Sequence, residues 1–410
     1  VTFLPHLIRT LFAVQQAFAR GGGGGSHSGG GGGHSSFGGG YSGGGYGTGS
    51  GGGFDISIIF DLIFFAVIVI STYRTFKGKS IKNLLLLSSK PEDFTADPLK
   101  ARVAETFATF QTAWSTFATD GLSAYLTDSC LQRIRLELYV LQALHRQDRM
   151  ENASLRTVTI LNTAQENGNA NSFTARIEAV ANDTLVNTDT NAVLYTDSEP
   201  FAEYWRFSLV DKIWKLDLIS QETEAGELVS EEIRTFAESN GFFFDADFGW
   251  LMLPQKGAIF NNSAFKTSDV NNHVIGTYKN KVVEFYTFQP NAEASFSKAS
   301  YLVGQVVVPS QYRDVLVTRN GLWHLPPRGL VKRTLESPDF NKMYSLYADP
   351  LDQYSSWVLL TPTFMERLTS LTFSINIEVV GNFIYFYTKD NGVQYAQLLE
   401  IMSWAFDEMK

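Results

Sequence analysis

The chain has 410 residues, a formal net charge of −9 and a single cysteine, Cys130. The acidic balance argues against a nucleic-acid partner, which asks for a basic face. One cysteine excludes both an intrachain disulfide and a cysteine-rich zinc site.

In chain order, residues 1–20 read as a signal peptide-like segment, mostly apolar and ending in the small-x-small pattern Ala17-Phe18-Ala19. Residues 21–53 contain 21 glycines and read as a disordered tail, since they offer no apolar surface to offset backbone entropy. His27 and His34 in this tail read as solvated side chains. Residues 54–76 read as a transmembrane helix: 56–73 carry no charge except Asp61, and as a helix would span about 27 Å. A carboxylate at that depth costs roughly 2.5–3.5 kcal/mol, so Asp61 faces a partner helix or is shifted toward the surface. Residues 77–94 form a basic juxtamembrane linker. Arg74, Lys77, Lys79 and Lys82 follow the span, which places the N-terminus outside and the domains on the cytoplasmic side of a plasma membrane. The same four residues are candidate lipid head-group contacts, worth about 1 kcal/mol each near an anionic surface.

Residues 95–225 read as helices followed by strands. Val103, Phe107, Phe110, Trp114 and Phe117 mark one face of a helix, and Leu131, Ile134, Leu138, Leu141 and Leu144 mark a second. Asp120 and Asp128 read as helix caps, and Thr127-Asp128-Ser129 as the segment that caps the second helix. Strands are expected over 155–164, 173–181, 204–210 and 214–220, with Asp211-Lys212 turning the last hairpin. Alternation across that hairpin puts Trp205, Phe207 and Leu209 on one face with Trp214, Leu216 and Leu218. Trp114, Trp205, Phe207, Trp214 and Leu216 are therefore the candidate core or pocket-lining residues.

The strings Phe110-Gln111-Thr112-Ala113-Trp114, Asp120, Tyr125-Leu126-Thr127-Asp128, Glu203-Tyr204-Trp205-Arg206-Phe207 and Trp214-Lys215-Leu216 with Ile219 resemble the Tim-forty-four-like domain family. That family is named for a mitochondrial inner-membrane import translocase subunit and includes bacterial membrane proteins. The resemblance implies a cystatin-like (NTF2-like) cone in which a curved sheet wraps a helical hairpin around a space for lipid or peptide. The expected membrane span sets this chain apart from the mitochondrial protein, and import-motor activity does not carry over.

The acidic stretch 221–230 reads as a linker into a second α+β domain, 226–410, at which the two domains are expected to separate. Strands are expected over 282–288, 302–308, 314–317, 375–380 and 383–388, with Gly381-Asn382 as a hairpin turn. Phe340-Asn341-Lys342 through Tyr347, followed by Leu359-Leu360-Thr361-Pro362-Thr363-Phe364-Met365-Glu366-Arg367-Leu368, resembles an uncharacterised bacterial domain family over about 240–400. The fold class expected is thus α+β: a single transmembrane helix, a cone domain and a second domain with an antiparallel sheet.

No catalytic motif stands out. His145, His273 and His324 are isolated in sequence, with His273 and His324 expected in surface loops, so no catalytic, cofactor or metal residues are assigned. The expected function is a membrane-anchored scaffold or adaptor whose cone binds lipid, peptide or a protein partner, in membrane protein transport or assembly. Its expected partners are membrane lipids and a membrane protein, with no nucleic acid. The alternative is an enzyme using the cone as its active site. Titratable groups converging in an open cone would favour the enzyme; an apolar lining would favour binding.

Overall fold

A computed structural model describes residues 83, 85–166, 169–221, 231–247, 270–289, 300–320, 329–352, 354–389 and 393–408. Residues 91–410 belong to one compact unit, and the described elements discussed below lie within it. The first helix, α1 (Pro98–Thr116), starts where Asp97 accepts from the amides of Leu99 and Lys100 with Pro98 in the first turn, and it ends on Phe117 in the left-handed region. A 3-10 turn (Asp120–Ala124) leads to α2 (Asp128–Ala143), capped by the Thr127 hydroxyl. Within the expected Thr127-Asp128-Ser129 segment the cap is Thr127, with Asp128 in the first turn, and Asp120 likewise lies inside its 3-10 turn and does not cap it.

The strands β1 (Arg146–Glu166), β2 (Asn169–Asn187), β3 (Val193–Asp197), β4 (Phe201–Val210) and β5 (Ile213–Gln221) form an antiparallel sheet in the order β1-β2-β4-β5, with β3 beside β2. Asp211 and Lys212 both have positive φ, the two-residue turn that matches strand twist. It pairs Val210 with Ile213 and Leu209 with Trp214. Beyond Phe207↔Leu216 the register shifts, so that Trp205 faces Ile219. Asp217 is the extra residue of this bulge, held by the Thr127 hydroxyl at 3.1 Å and by the Arg206 guanidinium. The bulge passes the core face from Leu218, where alternation had put it, to Ile219.

After α3 (Glu231–Asn240) come β6 (Phe243–Asp247), β7 (Val270–Tyr278), β8 (Lys281–Phe288), β9 (Tyr301–Arg319), β10 (Val331–Arg333), α4 (Pro338–Met343), β11 (Tyr344–Ala348), α5 (Ser355–Leu359), α6 (Pro362–Ser370), β12 (Asn376–Thr388) and α7 (Tyr395–Glu408). The second sheet runs β10-β11-β9-β8-β7-β6, with β12 along the other side of β9. Gly381-Asn382 is not a hairpin turn. Both halves of β12 pair with the same strand β9, and Gly381, at φ 60°, sits between two register shifts that bend a continuous strand. At Gly304 an added Cβ would lie 2.6 Å from the Met402 sulfur, which is how close α7 packs to the sheet.

Alternation along the second sheet sends its residues into two cores. Phe285, Val306, Ile384 and Phe386 pack with α7 and the other helices of this half. Their neighbours Tyr286, Phe288, Val303, Val307, Phe383 and Tyr385 join one apolar cluster with Phe107, Trp114, Leu138, Trp205 and Phe207 of the first half. This shared cluster predicts a single unfolding transition for both sheets. Coincident urea curves from probes placed in each half would agree with it; two separated transitions would show that the sheets fold independently.

The expected fold class is corrected. The described chain is built mainly of strands in two antiparallel sheets, and no helix among the described residues is long and apolar enough to cross a membrane. The longest described helix, α1, has Glu105, Thr112 and Thr116 exposed along one side, so it lies on a sheet and does not span lipid. The expected single-pass placement, with a plasma-membrane anchor and cytoplasmic domains, is corrected on the same finding. The segments 1–20, 21–53 and 54–76, together with Arg74, Lys77, Lys79 and Lys82, lie outside the described residues, as do 222–230 and His324.

Candidate functional site

Trp114, Trp205, Phe207 and Leu216 lie buried between α1 and the first sheet, while Trp214 is partly buried against Phe173 at 5.0 Å. Trp205 sits 5.8 Å from both Phe107 and Phe110, and Phe207 stacks on Phe173 at 4.9 Å. Two buried carboxylates hold the indoles: Trp114 Nε1 donates to Asp148 at 2.8 Å, and Trp205 Nε1 donates to Glu203 at 2.7 Å. Sequence reading missed both acids, because nothing local marks an inward Asp or Glu on a strand. Asp148 and Glu203 are buried with the aromatic side chains and open onto neither cleft described below.

A second buried polar cluster lies where the two sheets share their core. Glu284, Gln305 and Tyr385 stand side by side on β8, β9 and β12. His273 Nε2 lies 3.0 Å from Glu284, the Gln305 amide donates to the other Glu284 oxygen at 2.5 Å, and the Tyr286 hydroxyl donates to Gln305 at 3.1 Å. Arg146, at the start of β1, brings the first sheet to this seam. Burial pushes its guanidinium down to about 10, which leaves it charged at neutral pH, and Tyr385 favours that charge. Burial likewise raises Tyr385 and Tyr286 well above the usual phenol range. His273 is therefore a buried strand residue and not a surface-loop histidine. The half-buried His145 Nδ1 instead lies 2.9 Å from Asp189.

Open space lies on either side of α2. One cleft, about 410 Å³, is bordered by Asp128, Gln132, Arg135, Leu136, Tyr139 and Val282. The other, about 390 Å³, opens between the two sheets. Its floor is Ile219, Ala237, Phe242, Phe243 and Phe244, and Arg133, Arg206 and Arg234 stand around it together with the acids Asp217 and Glu238. Arg133 is tied to Glu137 at 2.8 Å and Arg206 to Asp217 at 2.6 Å, whereas Arg234 is exposed on α3. An apolar floor with a few placed cations suits an amphipathic ligand with an anionic end. Cys130 also borders this cleft, but burial pushes its thiol up to about 12, so it remains a protonated, weak nucleophile. A thiol reagent at pH 8 should therefore leave Cys130 unmodified in the native chain and react once urea unfolds it. Rapid reaction in the native state would contradict this.

No curated protein matches the chain. Among solved structures, the mycobacterial trehalose monomycolate transport factor A, TtfA, is similar at 15% identity and a TM-score of 0.34, over 43% of this chain and 92% of that one. The intermembrane space region of the chloroplast protein ARC6 is similar at 13% identity and a TM-score of 0.25, over 32% of this chain and 97% of that one. Both scores are too low to carry an argument. The Tim-forty-four-like resemblance over 95–225 gains no support, since the matching family model lies entirely outside it. That model describes a protein family of unknown function (DUF3137) and matches residues 292–394, from just before β9 to the end of β12 and beyond, within the region that resembles an uncharacterised family.

Proposed function

We propose that the chain is a membrane-associated adaptor that binds a lipid, peptide or protein partner and does not catalyse a reaction. The observation that carries this reading is the cleft between the sheets, with its phenylalanine floor and the exposed Arg234 at its edge. The enzyme alternative needs titratable groups converging on an open cavity. Asp148 and Glu203 are instead buried and engaged by indoles, and Glu284 is enclosed by His273 and Gln305. Membrane association is tested by flotation of the full chain with phospholipid vesicles. The chain is expected to rise with vesicles containing anionic lipid; a chain that stays at the bottom of the gradient with every vesicle composition would overturn the reading.

A further inference from the structure

The cleft with the phenylalanine floor is bordered by the edges of both sheets. β5 ends the first sheet and β6 ends the second, and among the described strands each pairs with one neighbour, β4 and β7. Ile219 on β5 and Phe243 and Phe244 on β6 line the cleft. The outer edge of β5 already takes one piece of extended chain. The Leu216 amide donates to the Tyr125 carbonyl at 2.7 Å, and the Leu216 carbonyl accepts from the Thr127 amide at 2.9 Å, a parallel bridge between Leu126 and Leu216. Thr127 then caps α2, and the chain leaves the edge.

Leu216 thus turns both backbone groups away from β4, and backbone direction alternates along a strand as side chains do. The bulge at Asp217 passes the next outward position to Ile219, as it passes the core face. Ile219 therefore points its N–H and C=O out of β5 where it lines the cleft, and no described strand pairs with it there. A backbone amide and carbonyl beside an apolar floor need a hydrogen-bonding partner. A second extended chain supplies both a donor and an acceptor; an acyl chain supplies neither. Exposed on α3, one turn apart at the cleft, are Arg234 and Glu238. Arg234 can meet a carboxylate and Glu238 a hydroxyl or a cation, a mixture that peptide side chains carry.

We propose that this cleft takes an extended peptide segment, apolar with at least one acidic side chain, as a strand added to the β5 edge at Ile219. The proposal rests on the binding reading above and names the class of ligand and the backbone groups that hold it. The test selects binders to the full chain from a library of short random linear peptides. The recovered peptide is resynthesised unmodified and with its backbone amides N-methylated one at a time, which removes a donor and keeps every side chain. Affinity is expected to fall about tenfold or more at alternate amides and to hold at those between them. Amide exchange at Ile219 is expected to slow in the bound chain, and Arg234→Glu to weaken binding. A peptide indifferent to N-methylation, or unchanged exchange at Ile219, would overturn the added strand while leaving the cleft a binding site. If no recovered peptide depends on Arg234 but lysophosphatidylglycerol binds and is lost with Arg234→Glu, the cleft belongs to lipid and the peptide is overturned. Neither probe responding to Arg234→Glu would overturn the peptide and the cleft's binding role together.

Discussion

Trp205→Ala should lower the stability of the described fold by about 3–5 kcal/mol, the range for a buried aromatic replaced by alanine. Trp205 has no exposed surface, packs on Phe107 and Phe110 from α1, and neighbours Phe207 at 6.5 Å. Its removal also withdraws the indole donor from the buried Glu203 carboxylate, adding a desolvation cost to the cavity. Trp214→Ala should cost clearly less, because that ring is only partly buried and rests mainly on Phe173. The sequence alone ranked the two alike; the structure separates them. Urea unfolding of the two variants checks the order. Equal losses, or a wild-type midpoint for Trp205→Ala, would mean that Trp205 does not fill the core.

Glu284→Ala should cost about 1–3 kcal/mol, as expected when buried polar groups lose a shared hydrogen-bond partner. The carboxylate lies between the His273 imidazole and the Gln305 amide, all three nearly without exposed surface. Its loss removes an acceptor from His273 and from Gln305 in an interior shared by both sheets. Replacing Glu284, His273 and Gln305 together by leucine should recover much of the loss, because the desolvation cost then disappears with the groups that caused it. A single Glu284→Ala variant as stable as the parent would show that the seam is not closed to water.

Elements governed by local rules are legible in the sequence. The apolar stripe of α1, the turn at Asp211-Lys212 and the Thr361 cap of α6 each follow from neighbours within a few residues. Features decided by distant partners are not. Glu203 and Glu284 look like outward-facing strand acids until Trp205 and His273 are seen beside them. The shift from Leu218 to Ile219 depends on Asp217 meeting Thr127, 90 residues away in sequence. Gly381-Asn382 has the composition of a hairpin turn, but the long strand β9 pairs with both of its flanks and draws them into one bent strand. The cleft was invisible for the same reason, since its walls come from α2, β4, β5, α3 and β6.

The claim that the protein works by holding a ligand between its sheets is tested most directly by native mass spectrometry of the full chain, purified from membranes in mild detergent. The account predicts one small amphipathic molecule with an anionic end bound per chain, and its loss in an Arg234→Glu variant that unfolds at the same urea concentration as the parent. A parent chain that carries nothing, or a variant that retains the same molecule at the same occupancy, would contradict it.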